Sequence, residues 1–342
     1  MDRALNTALI IYYPIYFLIS ISLQSLLFYL ILTKTSKVLQ NMRWFLYPSN
    51  FFNLATAILA SFIQVRTVNN TFSLALLCQG PCKDLGPWYC FHNYNAMFTV
   101  ALASAIINIH TLYYRMVTVK YSEKVRLRLL IFCFWYVSPV VFVVFTYYPS
   151  TDFEFVYSET LQNHPSYDFE PFRKFGGFSN THHIALSSST IMLFLLNVLV
   201  PSFGYLWRRE TLKLLDKSFT SLSKQTILQF KILIRGLLLQ LTIPLACYLP
   251  VGSFYIYNKY SGSQILIAQY ILGMSIALPS ILDPILQIYF IMPYRKAVKA
   301  MFSFPTNHNE WSTSQKTNVT TVIPSNIPDS KLTRFLMRNY VF

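Results

Sequence analysis

Three clustered cysteines, one acid inside an apolar run and a few His, Tyr, Asn and Gln side chains in hydrophobic segments are the residues here that could do chemistry. Cys78, Cys82 and Cys90 allow one disulfide in three pairings, with one thiol left over. Cys82–Cys90 is favoured because it ties a loop to the helix that follows; three reduced thiols are the alternative. A four-ligand zinc site would also need His92, and these four residues lack the paired spacing of such sites, so no metal is expected. His92, Tyr94 and Asn95 form a second group. His92 and Asn95 are three apart and share a helix face. With Gln240 they are candidates to line a ligand pocket, against the plainer reading that they satisfy one another between helices. Asp283 is followed by Pro284, and a charge at that depth in a membrane helix costs about 2.5–3.5 kcal/mol, so it needs a partner or a proton. It reads either as part of an activation hinge with Pro284 or as a hydrogen-bonding residue between helices near one end. His182 and His183 are adjacent, so they point in different directions and have no evident third ligand. No glycine-rich phosphate loop, nucleophile elbow or pair of catalytic carboxylates is present. The chain does not read as an enzyme and implies no cofactor.

The elements that must position these groups are membrane helices. Of the residues, 54% are hydrophobic and only 12% charged, against roughly 25% charged in an ordinary soluble domain. At about 1.5 Å rise per residue, a run of about 20 apolar residues crosses the roughly 30 Å hydrocarbon core. Seven runs qualify, at about 8–32, 44–65, 89–112, 129–148, 184–207, 232–257 and 264–291. The first is too long for the apolar core of a signal peptide and lacks a following cleavage site. Pro244 is a plausible bend in the sixth run. After the seventh, Tyr294 to Phe302 reads as a short amphipathic basic helix on the membrane surface. The expectation is an all-α membrane protein: a seven-helix bundle over 8–302 with that surface helix, and a disordered cytoplasmic tail over 303–342.

The net charge of +15 would suggest nucleic acid in a soluble protein. Here the basic residues cluster in alternate short loops, so the partner is membrane lipid rather than nucleic acid. Of the 28 Lys and Arg residues, 22 fall in the first, third and fifth loops and after the seventh run, counting Arg115, Lys231 and Arg235 at inner helix ends. This asymmetry places the N-terminal segment (1–7) outside and the tail inside. The three clustered cysteines then lie outside, as does Asn69 of Asn69-Asn70-Thr71, a candidate glycosylation acceptor. The long outer loop from Pro149 to about His183 is net acidic.

Seven spans, an outside N-terminus, Arg115 at the inner end of span three and Asp283-Pro284 before a basic helix resemble the rhodopsin-like G-protein-coupled receptors. Within them the chain looks like a nematode serpentine chemoreceptor, most like class delta (Srd). Gly80-Pro81-Cys82 with Cys90, Tyr114-Arg115, His164-Pro165-Ser166-Tyr167-Asp168, Gln240 to Pro244, and Asp283 to Phe290 running into Pro293-Tyr294-Arg295 carry the likeness. It departs from the wider class at Tyr114, where an acid usually precedes the Arg, at Asp283-Pro284 in place of Asn-Pro, and at Tyr289, which comes later than the usual aromatic. The long outer loop has no cysteine, so the usual bridge from span three cannot form.

The resemblance implies a chemosensory receptor of the plasma membrane, in a sensory cilium, that binds a small extracellular molecule and activates a heterotrimeric G protein. The implied coupling residues are Tyr114, Arg115, Lys231, Arg235, Pro244, Asp283, Pro284, Tyr289 and Arg295. Phosphates on tail residues such as Ser312, Thr313 and Ser314 would end signalling. Two other classes compete. A ligand-gated channel of the insect odorant-receptor kind has the opposite topology. A transporter would need an internal repeat or several intramembrane acids, and the chain has neither. A receptor-like protein without ligand responsiveness is a third reading.

Overall fold

The computed structural model describes residues 2–35, 40, 42–120, 130, 132–147, 151–217, 224–261 and 265–302. Helix α1 (Asp2–Thr33) is followed by α2 (Arg43–Ile63). α2 stops at Gln64, whose left-handed backbone (φ 48°) lets its N–H bond back to the Ala60 carbonyl, a common way to end a helix. The chain then turns into β1 (Val65–Asn69) and β2 (Leu74–Cys78), and a 3-10 turn over Pro81–Asp84 leads to α3 (Pro87–Lys120). A second 3-10 turn, Cys133–Tyr136, opens α4 (Val137–Tyr147). α5 (Phe153–Asn163) and β3 (Gly176–Phe178) fill the long loop before α6 (Ile184–Lys217), α7 (Lys224–Ser261), α8 (Leu266–Ala277), α9 (Pro279–Phe290) and α10 (Met292–Phe302).

Among the described residues, six stretches are long and apolar enough to cross a membrane, and Cys133–Tyr147 is a shorter apolar seventh. α8 and α9 together make one span, Leu266–Phe290. α3 is central, packing on α2, α4, α6 and α7, while α9 closes the ring against α1 and α7.

Several limits differ from those expected. α1 already begins at Asp2, inside the segment assigned to the N-terminus, and α3, α6 and α7 run beyond their expected spans. The fourth span was expected over 129–148; its ends at 129 and 148 lie outside the described residues. So do Lys37, Lys124, Arg126, Arg128 and the whole tail, with Ser312, Thr313 and Ser314.

The larger addition is a layer of strands where the sequence suggested polar loops. β1, β2 and β3 form an antiparallel sheet, with Val65 opposite Cys78 and Leu74 opposite Phe178. Its residues are almost all buried, because the β-branched Val65, Thr67 and Val68 suit a pleated surface and Leu74 to Leu77 supply the apolar cover. Gly177 is required there, since any Cβ would collide with the Leu74 carbonyl. α5 braces the hairpin: Glu159 accepts the backbone N–H groups of Phe72 and Ser73 at 2.9 and 3.1 Å. Asp152 caps α5 by accepting from the Phe155 N–H at 3.0 Å, which satisfies one of the free donors of its first turn.

Two buried clusters hold the bundle. One lies under the sheet and includes Tyr13, Tyr16, Tyr94, Phe178 and Tyr270. The other is at the opposite end, where Leu27, Leu30, Leu112, Leu237 and Tyr294 meet. α10 is amphipathic: Tyr294 is buried, with its hydroxyl 2.8 Å from Thr35 Oγ1, while Lys296 and Lys299 are exposed.

Candidate functional site

A cavity of about 190 Å³ lies beneath the sheet between α3, α4, α6, α7 and α8. For scale, a dry cavity of about 150 Å³ accepts benzene. Its roof is Leu74 and Phe178, and its walls are mostly Phe, Leu, Ile, Val and Tyr side chains. The Phe178 ring packs 4.9 Å from Phe91, and that of Tyr94 lies 4.9 Å from Phe98.

Of the four ligand candidates, Tyr94, Asn95 and Gln240 line this cavity and His92 does not. His92 stacks on Tyr147 at 4.9 Å and meets Trp88 at 3.8 Å on the side of the bundle. The polar groups in the wall mostly bond within their own helices. Ser189 donates to the Leu186 carbonyl and Asn197 to that of Leu193. Asn95 donates to that of Phe91. Gln240 differs: it is 3% exposed and its Nε2 amide has no hydrogen-bond partner among the described residues. Such a buried, unsatisfied donor is costly; the Gln240 side chain lines the cavity, but the amide nitrogen itself is sealed from it. Pro244, one turn further along α7, also lines the cavity.

Asp283 sits deeper, in a polar core. Its Oδ2 accepts from Asn108 at 2.9 Å and Asn53 at 3.1 Å. Asn108 in turn accepts from Ser49, and Asn53 from Ser104. Asp283 lies seven residues from the inner end of its span, Leu266–Phe290, and bonds between helices to Asn53 of α2 and Asn108 of α3. Two prolines in this segment cannot donate backbone N–H groups. Pro284 leaves the Ser280 carbonyl without its helical donor, and Gln24 Nε2 supplies one at 2.6 Å. The Ala277 carbonyl, left free because the Ile281 N–H bonds to the Leu278 carbonyl instead, accepts from Tyr16 at 3.2 Å and from Ser280 at 2.8 Å. Neighbouring side chains thus replace the lost helix bonds, as membrane helices require.

Tyr114, Arg115, Lys231, Arg235, Tyr289 and Arg295, the remaining coupling candidates, lie at the end away from the sheet. Arg115 is 2% exposed; its Nη2 lies 2.7 Å from Met42 Sδ, and its guanidinium lies 5.6 Å from the Phe230 ring on α7. Tyr114 packs on Phe45 at 5.1 Å. Lys231 is half-buried and Arg235 exposed on α7. Arg295 lies over the exposed Tyr289 ring at 5.7 Å.

At the sheet end, Cys82 and Cys90 form a disulfide. Burial pushes the Cys78 thiol well above its ordinary pKa, although the three sulfurs lie within 4.8 Å of one another. With two of them bonded together, the cluster offers one thiol to a metal, and His92 is engaged elsewhere. Asn69 ends β1 at the hairpin and is half-buried.

Arg66 falls between the second and third expected spans, on the side read as outside, yet it is not a surface charge. Arg66 is fully buried, lies over Tyr167 and Tyr270 at 4.8 and 4.6 Å, and donates from Nε and Nη2 to Gln269 Oε1 at 3.2 and 3.0 Å. It pins β1 to α8. His164 stacks on Tyr167 in the same layer. Burial, foremost, and the nearby Arg66 lower its pKa against the opposing pull of the Asn69 backbone and Glu159.

Residues 9–300 match the family described as "Serpentine type 7TM GPCR chemoreceptor Srd". Among curated proteins, serpentine receptor class delta-63 of Caenorhabditis elegans is 36% identical over 284 residues, covering 81% of this chain and 88% of the relative. Class delta-50 and class delta-59 of the same nematode are 31% and 30% identical, covering 89% and 84% of this chain and 93% and 88% of themselves. With a match spanning nearly all of the helical bundle, the chain belongs to the Srd family of serpentine seven-transmembrane chemoreceptors.

Proposed function

We propose that this protein is a chemosensory receptor of the plasma membrane. The sheet end faces outside and the Arg115 end faces the cytosol; a small molecule bound in the cavity activates a heterotrimeric G protein. The observation that carries this reading is a mostly apolar cavity under the sheet, walled by α3, α4, α6, α7 and α8. A site with mostly apolar walls and a few polar side chains suits a small, weakly polar compound.

One helix links the two ends. α7 presents Gln240 and Pro244 to the cavity and, about 15 Å along its axis at 1.5 Å per residue, Phe230 to Arg115. A ligand that binds better when α7 is displaced shifts the bundle toward that arrangement, and only this difference in affinity can do so. Movement at Phe230 uncovers Arg115 between Tyr114 and α7, with Lys231, Arg235 and Arg295 around the crevice. Asp283 and Pro284, joined to α2 and α3 through Asn53 and Asn108, relay the change to α9 and Tyr289.

The test is signalling in a heterologous cell against an odorant panel, with and without blockade of the G protein, comparing wild type with Arg115→Ala. A response that needs the G protein and is lost in the variant at equal surface abundance supports the reading. A current that survives both the blockade and the substitution overturns it in favour of a channel.

A further inference from the structure

Two prolines set the polarity of the cavity floor. A carbonyl in an α-helix ordinarily accepts from the N–H four residues on, and proline has none. Pro201 of α6 therefore leaves the Asn197 carbonyl without its helical donor, and Pro244 of α7 does the same to the Gln240 carbonyl. Residues four apart share a helix face, and both members of each pair line the cavity. The two gaps in the helix bonding thus fall on the cavity face. They lie beside Val200 and Leu241, which belong to the cluster opposite the sheet.

Two other carbonyls freed by proline receive a side-chain donor instead. Gln24 supplies one to Ser280, and Ser138 Oγ donates at 2.8 Å to the Trp135 carbonyl that Pro139 leaves open. Among the described residues, no side chain donates to the Asn197 or Gln240 carbonyl. The amide nitrogens beside them are engaged or sealed: Asn197 Nδ2 bonds to the Leu193 carbonyl at 2.9 Å, and Gln240 Nε2 is closed off from the cavity. Toward the sheet, Thr190 Oγ1 and Ser275 Oγ spend their hydrogens on the Leu186 and Ile271 carbonyls at 2.9 and 2.8 Å. The tyrosines that line the cavity pack with the sheet-side cluster, away from the floor. No charged side chain is among the described residues of the lining. The floor therefore offers acceptors.

We propose that the ligand is a neutral hydrogen-bond donor, an alcohol or phenol on an apolar body, whose hydroxyl donates to the carbonyls that Pro201 and Pro244 free at the cavity floor. The apolar body fills the Phe, Leu and Ile walls above. A ketone or ester on the same skeleton brings an acceptor to acceptors and leaves both unpaired, which selects against it. An ammonium group would meet the carbonyls, but no carboxylate lines the site to balance its charge, and burying that charge in apolar surroundings is costly. This proposal rests on the reading of the cavity as the ligand site.

The experiment uses the full chain in phosphatidylcholine nanodiscs with tritiated 2-octanol and 2-octanone, which share a skeleton and differ in donor against acceptor. Cavity binding is the part lost in Ala105→Trp, which fills the space that Ala105 lines. Wild type should hold the alcohol about tenfold more tightly than the ketone. Pro201→Ala with Pro244→Ala returns a helical N–H to each carbonyl and should bring that ratio to about one. Pro250→Ala, the same change in α7 at an exposed proline outside the cavity, should leave the ratio as it is. The wild-type ratio decides by itself should the double variant fail to fold. A ketone bound as tightly as the alcohol, a preference that survives the double substitution, a preference lost equally in Pro250→Ala, or cavity binding of neither probe would overturn the proposal. Equal cavity binding of both probes with G-protein signalling in cells would remove this inference and leave the receptor reading; the expected preference without signalling would do the reverse.

Discussion

Gln24 Nε2 donates to the Ser280 carbonyl at 2.6 Å, and that carbonyl is the one Pro284 leaves without a helical donor. Gln24 also accepts from Asn50 through Oε1 at 2.6 Å. One buried amide thus repairs the proline break in α9 and joins α1 to α2. Gln24→Leu should lower stability by about 1–3 kcal/mol, the cost of orphaning buried polar groups. Thermal unfolding in detergent would show it, and Gln24→Glu, which keeps the shape but loses the donating amide when ionised, should not restore the loss.

Asp283 separates charge from hydrogen bonding. Asp283→Asn keeps an acceptor for Asn53 and Asn108 and removes the charge, so surface abundance should hold. Asp283→Leu leaves both amide donors unpaired and should cost about 1–3 kcal/mol for each donor orphaned. Surface labelling of the two variants, read together, checks this; equal loss in both would mean that the negative charge, not the acceptor, holds the core.

The roof should weaken in acid. Burial lowers the pKa of His164 in the folded protein, so below the unfolded value of about 6.5 the unfolded chain binds the proton more readily. Stability therefore falls as pH drops through about 6.5 and is unaffected by this group well above it. Hydrogen exchange of the Val65–Asn69 and Leu74–Cys78 amides, compared at about pH 5.5 and 7.5, should show faster opening in acid, and His164→Gln should flatten the difference.

The disulfide has a neighbour able to replace one partner. Cys78 Sγ lies within 4.8 Å of both bonded sulfurs, so Cys90→Ser should yield a fraction of chains bridged through Cys78 and Cys82. Cys78→Ser combined with Cys90→Ser removes that route and should cost about 2–3 kcal/mol, as expected for a short closed loop. Non-reducing peptide mapping distinguishes the bridges, and absence of the Cys78–Cys82 peptide in the single variant would contradict this account.

The bundle was legible from apolar run lengths and from the Lys and Arg distribution, because lipid forces every spanning backbone group to be satisfied within a helix. The sheet was not. Val65 to Asn69 and Leu74 to Cys78 are five-residue strands next to longer apolar helices, and a run that short has no period of its own to separate it from loop. Arg66 was misplaced for the same reason: a charge beside a sequon reads as surface, and only Tyr167, Tyr270 and Gln269, all distant in sequence, make its burial tolerable. The three-residue spacing of His92 and Asn95 put both on one helix face, yet Asn95 lines the cavity while His92 turns toward Trp88 and Tyr147, which no spacing shows. Asp283 stood out as a lone intramembrane acid, yet its partners Asn53 and Asn108 come from two other helices and carry no mark of pairing in the sequence.

The measurement that bears most directly on the account is a dose–response of G-protein activation to an agonist found on the odorant panel, in cells carrying wild type, Ala105→Trp or Gln240→Leu at matched surface abundance. Ala105 and Gln240 both line the cavity. If the cavity is the ligand site, the tryptophan that fills it should lower potency by about a hundredfold or more, equivalent to about 2.8 kcal/mol, and Gln240→Leu, which changes the wall's shape, should lower it by less. Superimposable curves for all three proteins would contradict the claim that ligand acts from this cavity.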